Sequence, residues 1–162
     1  LLAAIEDQMQ RGLTFKGEYF LTDTITLMIE GGAKVRTERI ASWLDTGTID
    51  ATLETNRILL ERRAGNGSEN GTRPQVQIVP PVFIHPSAEV SQAVIGPHVS
   101  IGAKCIIRQA VISDSIIEAD TRIERAALTH SLIGRNCVVE GQPNPSEAAR
   151  LNIGDNSSVI SG

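Results

Sequence analysis

The stretch Ile101-Gly-Ala-Lys-Cys-Ile-Ile107, continued by Val111-Ile-Ser-Asp-Ser-Ile-Ile117, decides the fold. Its aliphatic residues return every five or six positions, at Ile101, Ile107, Ile112 and Ile117. The same beat runs back through Ile95, Val90 and Ile84. It runs forward through Ile123, Leu128, Ile133 and Val139, and after a gap through Ile153 and Val159. A helix repeats at about 3.6 residues and a flat strand at about 2, so neither produces this spacing. A parallel β-helix does: each repeat is one short strand and one corner, and three repeats close a triangular coil. A β-sandwich fits less well, because it wants alternation and turn signals about every 8–12 residues.

Taking every third aliphatic position sorts the repeat into three faces. One carries Ile84, Ile101, Ile117 and Ile133, and the next Val90, Ile107, Ile123 and Val139. The third carries Ile95, Ile112 and Leu128, with Ile153 expected to follow. Each set stacks as a ladder at about 4.8 Å per coil, a setting that suits β-branched side chains. The positions make roughly four coils, at three repeats each. Gly96, Gly102, Gly134 and Gly154 directly follow the apolar position, where a corner is expected to need φ > 0. Residues 141–150, with Pro143-Asn-Pro145, read as a loop thrown out from a corner.

Cys105 and Cys137 each lie two residues before an inward aliphatic, in the small-residue slot of the repeat. They fall on one face two coils apart, roughly 10 Å. That exceeds the separation of about 7 Å that a disulfide tolerates. Both are expected to be reduced core residues, and no Cys or His at ligand spacing accompanies them.

The chain has 162 residues, net charge −4 and few aromatic residues at 3%, which suits a core of Ile and Val. Its mild acidity argues against a nucleic-acid surface, which needs a basic stripe with stacking aromatics. No apolar run of about 18 residues is present to span a membrane, and no signal peptide is visible. Unpaired cysteines point to a reducing cytoplasm. The chain opens on Leu1-Leu2 without Met, which reads as part of a longer protein.

The first half has a different grammar. Residues 3–11 read as a helix end with Ile5 and Met9 on one side. Thr22 is the expected N-cap of a helix over 23–30, closed by Gly31-Gly32. The alternation over 33–40 predicts a strand, and 42–44 a second one. Thr48 caps a helix from Ile49 to Arg63, with Leu53, Ile58 and Leu60 available for burial. This is α/β in style but too short of strands to be a complete α/β domain. Residues 64–75 are polar and Gly-rich, as in a linker. The expected division is therefore 1–63, a linker over 64–79, and the repeat over 80–162.

The chemical signal is Trp43-Leu-Asp-Thr-Gly-Thr48, an acidic residue at a strand end before a Gly turn and a capped helix. Asp45 is placed to hold a divalent cation on a phosphate. The same residue also fits plain turn chemistry, since Asp bonds its own backbone two residues on.

Two segments tie these features to a known family. Lys16-Gly-Glu-Tyr-Phe-Leu-Thr-Asp23 resembles the Arg-Gly-Glu-x-x-[Ile/Leu]-Thr-Asp segment of sugar-1-phosphate nucleotidylyltransferases. Trp43 to Thr48 resembles their metal-site segment, and Leu53 to Leu60 the helix that follows. The repeat, ending in Leu151-Asn-Ile-Gly-Asp-Asn156, is similar to the left-handed β-helix of long-form glucose-1-phosphate thymidylyltransferases. The resemblance covers nearly the whole chain apart from the linker. It implies the C-terminal portion of a nucleotidyltransferase domain followed by a left-handed β-helix. The implied substrates are a nucleoside triphosphate and a sugar 1-phosphate, and the implied ion is Mg²⁺. Asp45 matches the metal ligand. Lys16 stands where many members have an Arg that contacts the sugar phosphate; it keeps the charge without the bidentate fork. Gly47 shapes the substrate site, and Trp43 reads as a packed wall beside it. Glu18 and Asp23 read as helix-start acids.

The family's Gly-rich nucleotide loop and second metal-binding Asp have no counterpart here, so this chain alone is expected to be inactive. Two other functions compete. Hexapeptide-repeat acyltransferases use a His as general base at a subunit cleft, and His85, His98 and His130 are the candidates, each read as an exposed corner residue. Alternatively the repeat is a non-catalytic assembly or regulatory element. Outward residues such as Val94, Val111 and Ile116 would then pack on another copy in a homo-oligomer.

Overall fold

The computed structural model describes residues 1–64, 75–141 and 147–160. The chain divides into two compact units, Leu1–Trp43 and Leu44–Gly162.

The first unit is a pair of helices, α1 (Leu2–Gln10) and α2 (Leu21–Glu30), joined through a short bridge between Phe15 and Glu18. Its most buried groups are polar: Thr24 donates its hydroxyl to Gln8 Oε1, and Gln8 Nε2 donates to the carbonyls of Leu13 and Phe20 at 3.2 and 3.3 Å. No described hydrophobic residue before Leu53 is buried, and Leu2, Ile29, Val35 and Ile40 are all more than half exposed. A complete α/β layer buries such residues against a sheet.

Three local expectations are corrected in this unit. The cap of α2 is Phe20 in extended conformation, not Thr22. The Phe20 carbonyl already accepts the amides of Asp23 and Thr24, which draws Thr22 into the first turn. Residues 33–40 form no strand, and neither do 42–44. Alternation makes a strand only where a neighbour takes up the backbone hydrogen bonds, and the described residues of this unit offer none. Gly31 and Gly32 do close α2, with Gly32 at φ 89°.

The second unit begins with α3 (Ile49–Ala64), capped as expected by Thr48, whose hydroxyl accepts the amide of Ala51 at 3.2 Å. Leu53 and Leu60 are buried and Ile58 is half-buried.

Fourteen short strands follow among the described residues. In chain order they are β1 (Val76–Ile78), β2 (Val82–Ile84), β3 (Glu89–Ser91), β4 (Ala93–Ile95), β5 (Val99–Ile101), β6 (Ile106–Arg108) and β7 (Val111–Ser113). Then come β8 (Ile116–Ile117), β9 (Arg122–Glu124), β10 (Ala127–Thr129), β11 (Leu132–Ile133), β12 (Val138–Glu140), β13 (Asn152–Ile153) and β14 (Ser158–Ile160). They pair in parallel into three sheets, β1-β4-β7-β10, β2-β5-β8-β11-β13 and β3-β6-β9-β12-β14. This is a left-handed β-helix of about five turns, a triangular prism that follows the helices in the chain. Strand β1 is already paired to the prism, within the stretch read as linker, and residues 65–74 lie outside the described residues.

The ladders follow the beat. Ile95, Ile101, Ile107, Ile112, Ile123 and Ile133 are fully buried, each worth about 1.5–3 kcal/mol of apolar burial. Ile153 is the exception to the expected sorting. It stacks under Ile133 on the first face, not under Leu128 on the third. Ala149 takes the place beside Leu128; of the stretch 141–150 read as a loop, residues 142–146 lie outside the described residues. The third face is thus occupied before Ile153 is reached. With Ile78 and Val159 also in register, the coils number about five rather than four.

The glycines also differ from expectation. Only Gly96 of the four has positive φ, at 110°. Gly102 and Gly134 are needed for close approach: a Cβ would lie 2.7 Å from the Ala119 amide nitrogen and 2.6 Å from that of Asp155. The left-handed corners fall instead on side chains such as His98, Asp114, Asp120, His130 and Asn136. Asn, Asp and His tolerate this conformation best. The corner amides of His98, Asp114, Asp120 and Asn136 are held by the preceding coil, for example His98 to Pro81 and Asp120 to Ala103, both at 2.8 Å.

Cys105 and Cys137 are free and buried. They share a column with Thr121, whose hydroxyl accepts the Cys137 amide at 3.1 Å. Burial pushes the Cys105 thiol above the ordinary cysteine range. Since the thiolate is the reactive form, its fraction at pH 8 is lowered. Neither thiol is expected to react with a disulfide reagent at pH 8 in the folded chain, and both should react at once in denaturant. Rapid titration of either thiol without denaturant would show that the column opens.

Candidate functional site

The segment from Leu44 to Thr48 is a tight turn wound onto the start of α3. Asp45 Oδ1 accepts the Gly47 amide at 3.0 Å, which closes the turn. Gly47 is shaped for this closeness, because a Cβ would meet Asp45 Oδ1 at 3.3 Å. The helix grips the turn from its second face: Thr55 donates its hydroxyl to the Asp45 carbonyl at 2.7 Å, and Thr52 donates to the Thr46 carbonyl at 3.2 Å. Asp45 is exposed, and among the described residues no donor meets its Oδ2. The arrangement satisfies the backbone through one carboxylate oxygen and leaves the other for a ligand.

Asp45 and Gly47 belong to the second unit, whereas Lys16 belongs to the first. Lys16 sits at φ 51° in the turn between Phe15 and Glu18, exposed, with Nζ 5.5 Å from the Phe15 ring centroid. Trp43 is 80% exposed, so it is not the packed wall expected of it. No neighbouring layer covers it among the described residues of its unit. Those residues also contain no group of three or more His, Cys, Asp or Glu disposed to hold a metal ion. Mg²⁺ on a substrate phosphate needs only one or two protein carboxylates, and the Asp45 turn supplies one.

Sequence reading missed the seam between α3 and the prism. Asn56 Nδ2 donates to the His98 carbonyl at 3.2 Å, and its Oδ1 accepts the Ser100 hydroxyl at 2.6 Å. His98 lies between two acids, with Nδ1 3.0 Å from Asp114 Oδ1 and Nε2 3.4 Å from Glu61 Oε1. His130 Nε2 is 2.8 Å from Asp50 Oδ1. Arg63 stacks over the Phe83 ring at 4.7 Å. His98 is thus no exposed corner residue: its side chain is 21% exposed because α3 packs across it. Along α3, Arg57 bridges Glu54 and Glu61, and its hydrogen bonds to Glu54 hold that carboxyl below its usual range. The contacts across this seam join residues from 20 positions apart, Arg63 and Phe83, to 80, Asp50 and His130, which no local pattern reveals.

Residues 78–147 match the family model described as GMPPB C-terminal domain. The chain is 32% identical over 164 residues to a glucose-1-phosphate thymidylyltransferase of Streptomyces antibioticus, covering 90% of this chain and 46% of that protein. These similarities are to the C-terminal parts of sugar-1-phosphate nucleotidylyltransferases. A glucose-1-phosphate thymidylyltransferase of Streptomyces griseus is 27% identical over 162 residues, again 89% of this chain and 46% of the relative. A probable mannose-1-phosphate guanyltransferase of Schizosaccharomyces pombe is 37% identical over 115 residues, 65% of this chain and 28% of the relative. The chain spans about half the length of the first two. No described helix is long and apolar enough to cross a membrane.

Proposed function

We propose that the whole protein joins a nucleoside triphosphate to a sugar 1-phosphate, giving a nucleoside diphosphate sugar and pyrophosphate. The observation that carries the reading is similarity to transferases of this class over nine-tenths of the chain, through both the Asp45 turn and the prism. Glucose 1-phosphate and a thymidine triphosphate are the leading pair, since both Streptomyces relatives bear that name.

In this reading the sugar-phosphate oxygen attacks the α-phosphorus in line, and the bond to the leaving pyrophosphate breaks. Lys16, in the first unit, offers a cation to the sugar phosphate; Gly47, in the second, shapes the turn that presents Asp45. Asp45 would hold Mg²⁺, which would supply charge neutralisation on phosphoryl oxygens. The division into a transferase portion over 1–63 and a prism over 80–162 belongs to the same proposal. So do inactivity of this chain by itself and a cytoplasmic setting, which two free buried cysteines support.

The prism serves assembly of a homo-oligomer in this reading. Val94 and Val111 stand adjacent and half-exposed on the β1-β4-β7-β10 face, which supports them as contact residues. Ile116 lies instead on the face whose neighbour Ser100 meets α3.

The test is pyrophosphate release by the whole protein across four nucleoside triphosphates and several sugar 1-phosphates. Turnover with one pair is the expected result and identifies the substrates. Silence with every pair would overturn the transferase reading and leave assembly or regulation.

A further inference from the structure

Two adjacent residues of α3 face different partners. Thr55 holds the Asp45 carbonyl at 2.7 Å. Asn56, about 100° further round the helix, holds the prism at both ends of its amide. Ser100 is the middle residue of β5, between Val99 and Ile101, which are fully buried. The His98 carbonyl is equally fixed, because the His98 amide donates to Pro81 at 2.8 Å and the ring meets Asp114.

Adhesion of α3 to the prism does not require this amide, since Leu53 and Leu60 are already buried. Apolar contact is non-directional and leaves a helix free to slide or roll. An amide bound at both ends sets axial and rotational position together. We infer that Asn56 and Ser100 are positioning residues for Asp45: the prism sets the place of its carboxylate through Ser100, Asn56 and Thr55. The inference rests on the reading of Asp45 as a metal-binding carboxylate, and it gives the prism a part in the transfer step beyond assembly. Displacements near 1 Å matter for such groups.

The test uses Ser100→Ala and Thr55→Val in the whole protein. Each is expected to raise the Mg²⁺ concentration for half-maximal rate by about 3- to 10-fold, the effect of one lost hydrogen bond. The double variant should be no worse than either alone, because both cut one relay. Ser100→Thr, which keeps the hydroxyl, should restore the Mg²⁺ requirement. Amide hydrogen exchange over residues 44–48 should quicken in Ser100→Ala while the strands keep their protection. Unchanged exchange and Mg²⁺ dependence in Ser100→Ala, or additive effects in the double variant, would overturn the coupling. If the whole protein showed no turnover, the function proposed above would fall, and the exchange measurement would decide the coupling by itself.

Discussion

Gly96→Ala is expected to destabilise the second unit by at least about 3 kcal/mol, among the largest effects open to a single methyl group. At φ 110° the backbone lies where L side chains rarely go. A Cβ would stand 1.9 Å from the Val79 carbonyl oxygen and 2.8 Å from Val82 Cγ2. Val79 cannot retreat freely, because its amide donates to the Ile95 carbonyl at 2.8 Å just after β1. Gly96 is itself tied to Ile112 at 2.8 Å, so relief on either side breaks a rung of the ladder. Gly154→Ala is the control. Its added Cβ meets nothing within 4 Å and its φ is not left-handed, so its effect should stay within about 0.5 kcal/mol. Urea unfolding of the 162-residue chain separates the two, and equal midpoints would refute the steric account.

In the whole protein, Asp45→Asn is expected to lower turnover on the order of 100-fold while leaving the unfolding midpoint in place. A metal ion supplies several kcal/mol of charge stabilisation to phosphoryl transfer, and each 1.36 kcal/mol is about tenfold in rate. Structure should survive because the Asn side-chain oxygen can accept the Gly47 amide as Asp45 Oδ1 does. The grip of Thr55 is on the backbone carbonyl and is untouched. Steady-state pyrophosphate release with a parallel unfolding curve is the measurement. Full turnover in the variant would assign Asp45 to the turn alone, the reading that the Asp45–Gly47 bond equally allows.

How far the chain could be read depended on where each residue's partners lie. The prism was legible because its order is periodic: Ile101, Ile107 and Ile112 repeat one local rule, and stacking the rule generates the fold. The rule failed at Ile153, because Ala149, which lies off the aliphatic beat, already takes the place beside Leu128 on the third face. The corner glycines were read as conformational when Gly102 and Gly134 are steric, a distinction that exists only once the next coil is in place. In the first unit, the alternation over 33–40 was real but had no partner strand. At the candidate site, Asp45, Gly47 and the Thr48 cap were visible because they interact within a few residues of one another. Asn56, Ser100 and His98 were not, because what makes them important is a contact across more than 40 positions.

The sequence by itself therefore determined the repeat, the inward ladders, the reduced cysteines and the carboxylate turn, since each follows from covalent neighbours and a short period. Only the tertiary structure decided the register from Ala149 onward, the left-handed corners, and the docking of α3 on the face that carries Ser100. Those depend on which backbone passes one coil away, and hydrogen bonds and steric exclusion act between atoms near in space whatever their distance along the chain.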